Sequence, residues 1–173
     1  YCTRSFGQKF ESLNPIQQAT ATYAARAMEK LRMQHSLVHT IHVFLHSSPY
    51  EKNYISRSAT VKLAYPTNDS RIVCRAVREA IASLYVAGHR YSKSGIGLIE
   101  ISHENHTQYD LFQPGQALDA QALMQAMDSI NRYHGRGALR IGSEGTVQKW
   151  AMRQQYRSPS YTTCWRDIPF INI

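Results

Sequence analysis

Residues 58–84, SATVKLAYPTNDSRIVCRAVREAIASL, pass from one periodicity to another within a single stretch. Ser58 to Tyr65 alternates, with Ala59, Val61, Leu63 and Tyr65 on one face and Ser58, Thr60 and Lys62 on the other. Period two with one polar face marks a strand that is wet on one side. Pro66 closes the run, because it has no N–H to give a ladder. Asn68-Asp69-Ser70 then offers helix N-caps, and Ile72, Val73, Ala76, Val77, Ala80, Ile81 and Leu84 recur at helical spacing before Gly88. Arg71, Arg75 and Arg78 take the outer side of that helix.

The segments on either side repeat the scheme. Cys2 to Gly7 is short and β-compatible, and Asn14-Pro15 predicts a helix start, with Ile16, Ala19, Tyr23, Ala24, Ala27 and Leu31 forming one stripe to about residue 34. Leu37 to Ser47 alternates again: Leu37, Ile41, Val43 and Leu45 on one face, and Val38, Thr40, His42 and His46 on a mostly polar one. Tyr91 to Ser102 reads as the last strand. The order β-α-β-β-α-β predicts an α+β fold, a four-stranded antiparallel-type sheet with two helices on one face and the other face open.

Residues 103–117 are polar with a Pro-Gly break and read as a linker. Beyond them Asp119 caps a helix through Leu123, Met127 and Ile130 that Gly135 ends. Ala138 to Ile141 reads as a short strand, and the rest, from Gly142, is irregular and rich in Arg, Tyr, Trp and Ser. This divides the chain into units at 1–103, 104–117 and 118–173, with residues 143–173 expected to be dispensable for the fold of the first.

The 173 residues hold 20 Lys and Arg against 12 Asp and Glu, for a net charge of +8. Residues 1–103 hold 13 basic and 6 acidic side chains, and residues 104–173 hold 7 and 6. The basic surplus therefore belongs to the first unit, and a polyanion is the expected partner. No apolar run approaches a membrane span. Cys2, Cys74 and Cys164 are odd in number and far apart, which indicates neither a disulfide framework nor a zinc site and suits a reducing cytoplasm. The start at Tyr1 reads like mid-domain sequence, so the chain is expected to be a piece of a longer protein.

Two-metal nucleotidyl transfer needs converging carboxylates, commonly acidic doublets or i, i+2 pairs. The nearest approach here is Glu100 and Glu104 at a strand end. His39, His42 and His46 suggest a metal site, but alternation sends His39 to the opposite face, and polar sheet-face histidines are the better reading. Gly95-Ile96-Gly97 lacks the third glycine of a dinucleotide fingerprint and reads as strand glycines allowing close approach. No catalytic or metal-ligating residue is assigned, and no cofactor.

Ser58, Thr60 and Lys62 form a row of donors about 6.6 Å apart, a spacing that can follow phosphates. Arg4 and Ser5, Arg57, and Arg90, Tyr91 and Lys93 are candidates to extend it into a DNA-binding surface. Few aromatic side chains point outward from the strands, which favours a duplex backbone over unpaired bases. A second candidate site is Gln108-Tyr109-Asp110-Leu111-Phe112, two adjacent apolar anchors in a polar linker with a hydrogen-bonding amide before them. An alternative function is a protein-interaction module, its basic face and the residues Trp150, Arg153, Tyr156, Arg157, Tyr161 and Trp165 binding an acidic protein.

Several stretches carry a family resemblance: Ser5-Phe6-Gly7, Tyr23-Ala24-Ala25-Arg26-Ala27-Met28-Glu29-Lys30-Leu31-Arg32, Ser58-Ala59-Thr60-Val61-Lys62-Leu63, Ala87-Gly88-His89-Arg90-Tyr91 and Ser158-Pro159-Ser160-Tyr161-Thr162-Thr163. In combination the sequence resembles the C-terminal part of UmuC-type Y-family DNA polymerases, the catalytic subunits of error-prone SOS translesion polymerases. The resemblance implies that residues 1–103 are a little finger domain lying along primer-template duplex. It implies that Gln108 to Phe112 is a β sliding clamp-binding pentapeptide, with Tyr109 in place of the usual Leu. Residues 118–173 resemble the family's C-terminal extension, associated with UmuD' and RecA. The palm with its magnesium-binding acids would precede Tyr1, and the setting would be the bacterial cytoplasm, at the nucleoid.

Overall fold

The computed structural model describes residues 1–106, 115–117, 119–151 and 158–170. Four strands, β1 (Cys2–Phe10), β2 (Ser36–Ser47), β3 (Ser56–Thr67) and β4 (Tyr91–His103), form one sheet in the order β1-β4-β2-β3. Every neighbouring pair is antiparallel. Helix α1 (Leu13–Met33) follows β1, α2 (Ser70–Leu84) follows β3, and α3 (Ala120–His134) follows the sheet. The predicted α+β order is the order the chain forms.

Boundaries differ where local rules compete. Ser12, not Asn14, is the N-cap of α1. Pro15 then sits in the first turn, where its missing N–H would have had no intrahelical partner anyway. Pro66 does not end β3, which runs on to Thr67; β3 pairs only with β2, and an edge strand tolerates a proline. Of the three N-caps the sequence offers, Asp69 is the one that caps α2, its side chain accepting from the Arg71 backbone N–H at 2.8 Å. Asp119 and Gly135 bound α3 as predicted. The strand expected at residues 138–141 does not form. Asn131 takes the place of a strand partner there: its side chain accepts from Gly137 N and Leu139 N and donates to Leu139 O.

The core lies between one sheet face and α1 with α2. Ile41, Val43 and Leu45 of β2 and Ile96 of β4 are fully buried with Ile16, Ala24 and Met28 of α1 and Val73, Val77 and Ile81 of α2. Thr20 of α1 donates to Ile16 O and shares a 2.8 Å hydrogen bond with Ser94 of β4, satisfying two hydroxyls inside this layer.

Residues beyond the sheet join the same body. Ala120 and Met124 of α3 are buried. Arg32 of α1 reaches both carboxylate oxygens of Asp128 at 2.7 Å and also donates to Asn68 O and Ser70 Oγ. Gln116 bridges Thr67 and Asn68 through its side-chain amide. Trp150, expected in a dispensable tail, is 3% exposed and packs edge-on against Tyr23 at 5.6 Å, while its carbonyl accepts from Gly7 N at 3.2 Å. Burial raises the Tyr23 hydroxyl to about 12. Among the described residues, no helix is long and apolar enough to cross a membrane.

Candidate nucleic-acid interface

Strand register sorts the side chains of the face turned away from the helices. On β2 this face carries Thr40, His42, Phe44 and His46, alternating with the buried Ile41, Val43 and Leu45. Opposite them on β3 stand Lys62, Thr60, Ser58 and Ser56. On the other side, β4 places Ile99, Gly97, Gly95 and Lys93 against the same four residues. β1 then sets Thr3 beside Gly95 and Ser5 beside Lys93. Ser58, Thr60 and Lys62 are all exposed, and the expected donor row exists on β3. Ser5 and Lys93 form a second, shorter rail across the sheet.

Three other candidates lie elsewhere. Arg4 pairs with Ser94, whose side chain is buried against α1, so Arg4 belongs to the helix side. Arg57 pairs with the fully buried Leu45 and likewise leaves the open face. Period-two alternation separates Arg4 from Ser5 and Arg57 from Ser58, a signal already present in the sequence. Tyr91 is completely buried, its hydroxyl accepting from Val86 N at 2.9 Å and donating to Val86 O at 3.2 Å. The cause is a register shift: His46 pairs with Lys93 but Ser47 with Tyr91, so Ser92 is an extra residue and Tyr91 turns into the core.

Arg90 is exposed but engaged. Glu51 lies 3.0 Å from Arg90 and 2.8 Å from Lys9, and Lys9 first, with Arg90 behind it, holds the Glu51 carboxyl below its ordinary value. Arg71, Arg75 and Arg78 are exposed on α2, in the helix layer, with Arg71 paired to Asp69 at 2.7 Å. Gln108, Tyr109, Asp110, Leu111 and Phe112 lie outside the described residues, as do Arg153, Tyr156 and Arg157. Tyr161 and Trp165 are exposed.

The expectation of few outward aromatic groups is corrected by the middle of the sheet. Tyr1, His42, Phe44 and His46 make a row with ring centroids 6.0, 6.0 and 5.0 Å apart. Gly95 and Gly97 make room for it: a Cβ on Gly95 would meet Phe44 Cζ at 2.5 Å, and one on Gly97 would meet the Tyr1 ring at 2.5 Å. The sequence reading assigned close approach to these glycines but overlooked Phe44, which shares the i, i+2 face of His42 and His46. Gly95→Ala is expected to cost about 1–3 kcal/mol in urea unfolding, because Phe44 is hemmed in by both imidazoles. Gly97→Ala should cost less, since the Tyr1 ring is exposed and can swing away.

Electrostatically the face is positive. Lys62 and Lys93 stand on it, and Glu100, at the far end, accepts from Thr40 Oγ1 and lies 3.9 Å from His39 Nδ1. Glu104 is engaged separately, with His35 at 3.1 Å. Among the described residues no group of three or more His, Cys, Asp or Glu side chains could hold a metal ion.

A family model described as the impB/mucB/samB family C-terminal domain matches residues 1–111. Another, described as a domain of unknown function (DUF4113), matches residues 121–171. The chain is 36% identical to Protein UmuC of Salmonella typhimurium (strain LT2) over 96% of its own length and 40% of that protein's. It is 39% identical to Protein MucB of Salmonella typhimurium over 99% of its own length and 41% of that protein's. With Protein ImpB of Salmonella typhimurium the identity is 33%, over 99% of the chain and 41% of the relative. The chain thus spans about two fifths of the length of these relatives.

Proposed function

The chain belongs to the impB/mucB/samB family through its C-terminal domain, and from that premise we propose that it is the DNA-gripping, clamp-tethering C-terminal part of a bacterial translesion DNA polymerase. In this reading residues 1–103 act as a little finger, and nucleotidyl transfer, with its magnesium ions, belongs to a part of the longer protein outside these 173 residues. UmuD' and RecA are the proposed partners of the extension. The observation that carries the reading is the open sheet face, two rails of hydroxyls and lysines on a face where the Glu100 carboxylate is already engaged by Thr40. Such a face grips phosphates at any base sequence, as an enzyme that translocates requires.

Duplex binding should be independent of sequence and fall steeply with salt. Each phosphate contact contributes a log-log slope of about 0.9, so Lys62→Ala with Lys93→Ala should flatten the slope by about 2 and weaken binding at least tenfold. An unchanged slope in a titration of fluorescence anisotropy against salt would remove the sheet face from the reading.

Leu111 and Phe112 are proposed to enter a hydrophobic pocket of the sliding clamp, with Gln108 hydrogen-bonding at its edge and Tyr109 and Asp110 spacing the anchors. Burying two such side chains gains roughly 3–6 kcal/mol before ordering costs, which by itself corresponds to affinities from about millimolar to tens of micromolar, so the isolated peptide binds weakly. Replacing both by Ala should abolish clamp capture and leave duplex binding intact. Undiminished capture by that variant would return both residues to internal packing.

A further inference from the structure

We infer that His42 and His46, on either side of Phe44 in the middle strand, are phosphate contacts of the open face and that His46 takes up a proton when a duplex docks, an inference that rests on the phosphate-gripping reading above. The register places these imidazoles between the two rails rather than at an edge. His46 stands opposite Lys93 of β4 and Ser56 of β3, and His42 opposite Gly97 of β4 and Thr60 of β3. Phe44, lying against Gly95, fills the space between them. A polyanion resting on the lysines of both rails therefore passes over both imidazoles.

Among the described residues neither imidazole is ion-paired, and the carboxylate of Glu100 is taken up by Thr40 Oγ1. Around His46 stand Lys93, Ser56, the Phe44 ring and the Tyr54 hydroxyl, 3.5 Å from Nδ1, with Ser5 of β1 beyond Lys93. Around His42 stand Thr60, Gly97 and the Phe44 and Tyr1 rings; Thr40, bonded to Glu100, lies two residues away, Lys62 and Ile99 stand opposite Thr40, and β1 adds Thr3 beside Gly95. His42 Nδ1 is buried without a hydrogen-bond partner, which leaves Nε2 for a ligand. Burial and then Lys93 hold the His46 imidazole below its ordinary value, which favours its neutral form in the free protein. A phosphate oxygen supplies the missing counter-charge, and the imidazole gains a proton from solvent to make a charge-assisted hydrogen bond. The sign follows: binding consumes protons, and affinity rises as pH falls.

The experiment uses the full chain and a short blunt duplex at constant ionic strength. Affinity should rise about tenfold between about pH 7.5 and pH 5.5. Calorimetry in buffers of different ionisation enthalpy should read the uptake of about one proton near pH 6.5, without any substitution. His46→Gln should lose both the pH dependence and the proton uptake, whereas His42→Gln should weaken binding and keep both. Wild-type binding that is salt-steep at pH 7.5 yet takes up no proton overturns the inference and leaves the phosphate grip standing. Proton uptake that persists in His46→Gln overturns it as well. Absence of duplex binding at both pH values overturns the grip and, with it, this inference.

Discussion

Trp150→Ala is expected to destabilise the protein by about 3–5 kcal/mol, the cost of emptying a large aromatic site that cannot collapse. The indole is 3% exposed and meets Tyr23 edge-on in the middle of α1. In a chain of this size that is a drop in thermal midpoint on the order of 10 °C. Circular dichroism melting checks it, and truncation after Gly142 should do at least as much damage, because it removes Trp150 together with the bond from Gly7 N to its carbonyl. Trp150→Phe should recover more than half of the loss: it keeps an edge for Tyr23, and the indole Nε1 it discards has no hydrogen-bond partner. A truncated chain melting within about 2 °C of the full one would return the segment to the dispensable role its composition suggests.

Arg32→Ala should cost about 3–5 kcal/mol, since it strands a carboxylate that is four-fifths buried. Arg32 donates two 2.7 Å bonds to Asp128 and two more to Asn68 O and Ser70 Oγ, so one side chain ties α1, the start of α2 and α3 together. Arg32→Lys should recover little, because an ammonium cannot span both oxygens of Asp128 and the two further acceptors from one position. A double-mutant cycle with Asp128→Ala, measured by urea unfolding, should give a coupling of about 2 kcal/mol or more. Coupling near zero would show that the two residues neighbour each other without linking α3 to the sheet unit.

The two predictions concern residues whose roles composition could not show. Trp150 sits in a stretch of arginines, tyrosines and serines with no periodicity, and its partner Tyr23 is far away in the chain. Asp128 looked like one polar residue on an amphipathic helix; only the approach of α1 makes it the acceptor of a bidentate pair.

On the candidate interface the sequence was informative wherever one strand's alternation sufficed. Ser58, Thr60 and Lys62 stand in the row that their spacing demands, and Asp69, Asp119 and Gly135 bound the helices they were expected to bound. Arg4 and Arg57 were misplaced through proximity in sequence to Ser5 and Ser58, although alternation alone separates each pair. Phe44 was legible in principle, at i+2 from His42, and was passed over.

What the sequence determined by itself was local: periods of 2 and 3.6, caps and breaks, hence the element order, the single helix-covered face and the positive first unit. These features depend on residues a few positions apart, and short-range sterics and hydrogen bonding decide them. What only the tertiary structure decided was long-range: the order β1-β4-β2-β3, the extra residue at Ser92 that turns Tyr91 inward, and the burial of Trp150 and Arg32. Pairing register is set jointly by two strands and the core beneath them, and one inserted residue moves a side chain to the opposite face. A period read along one strand carries no information about that event, and so the donor row on β3 and the imidazoles on β2 are each legible in the chain while the cross-strand pairing that sets them side by side is not.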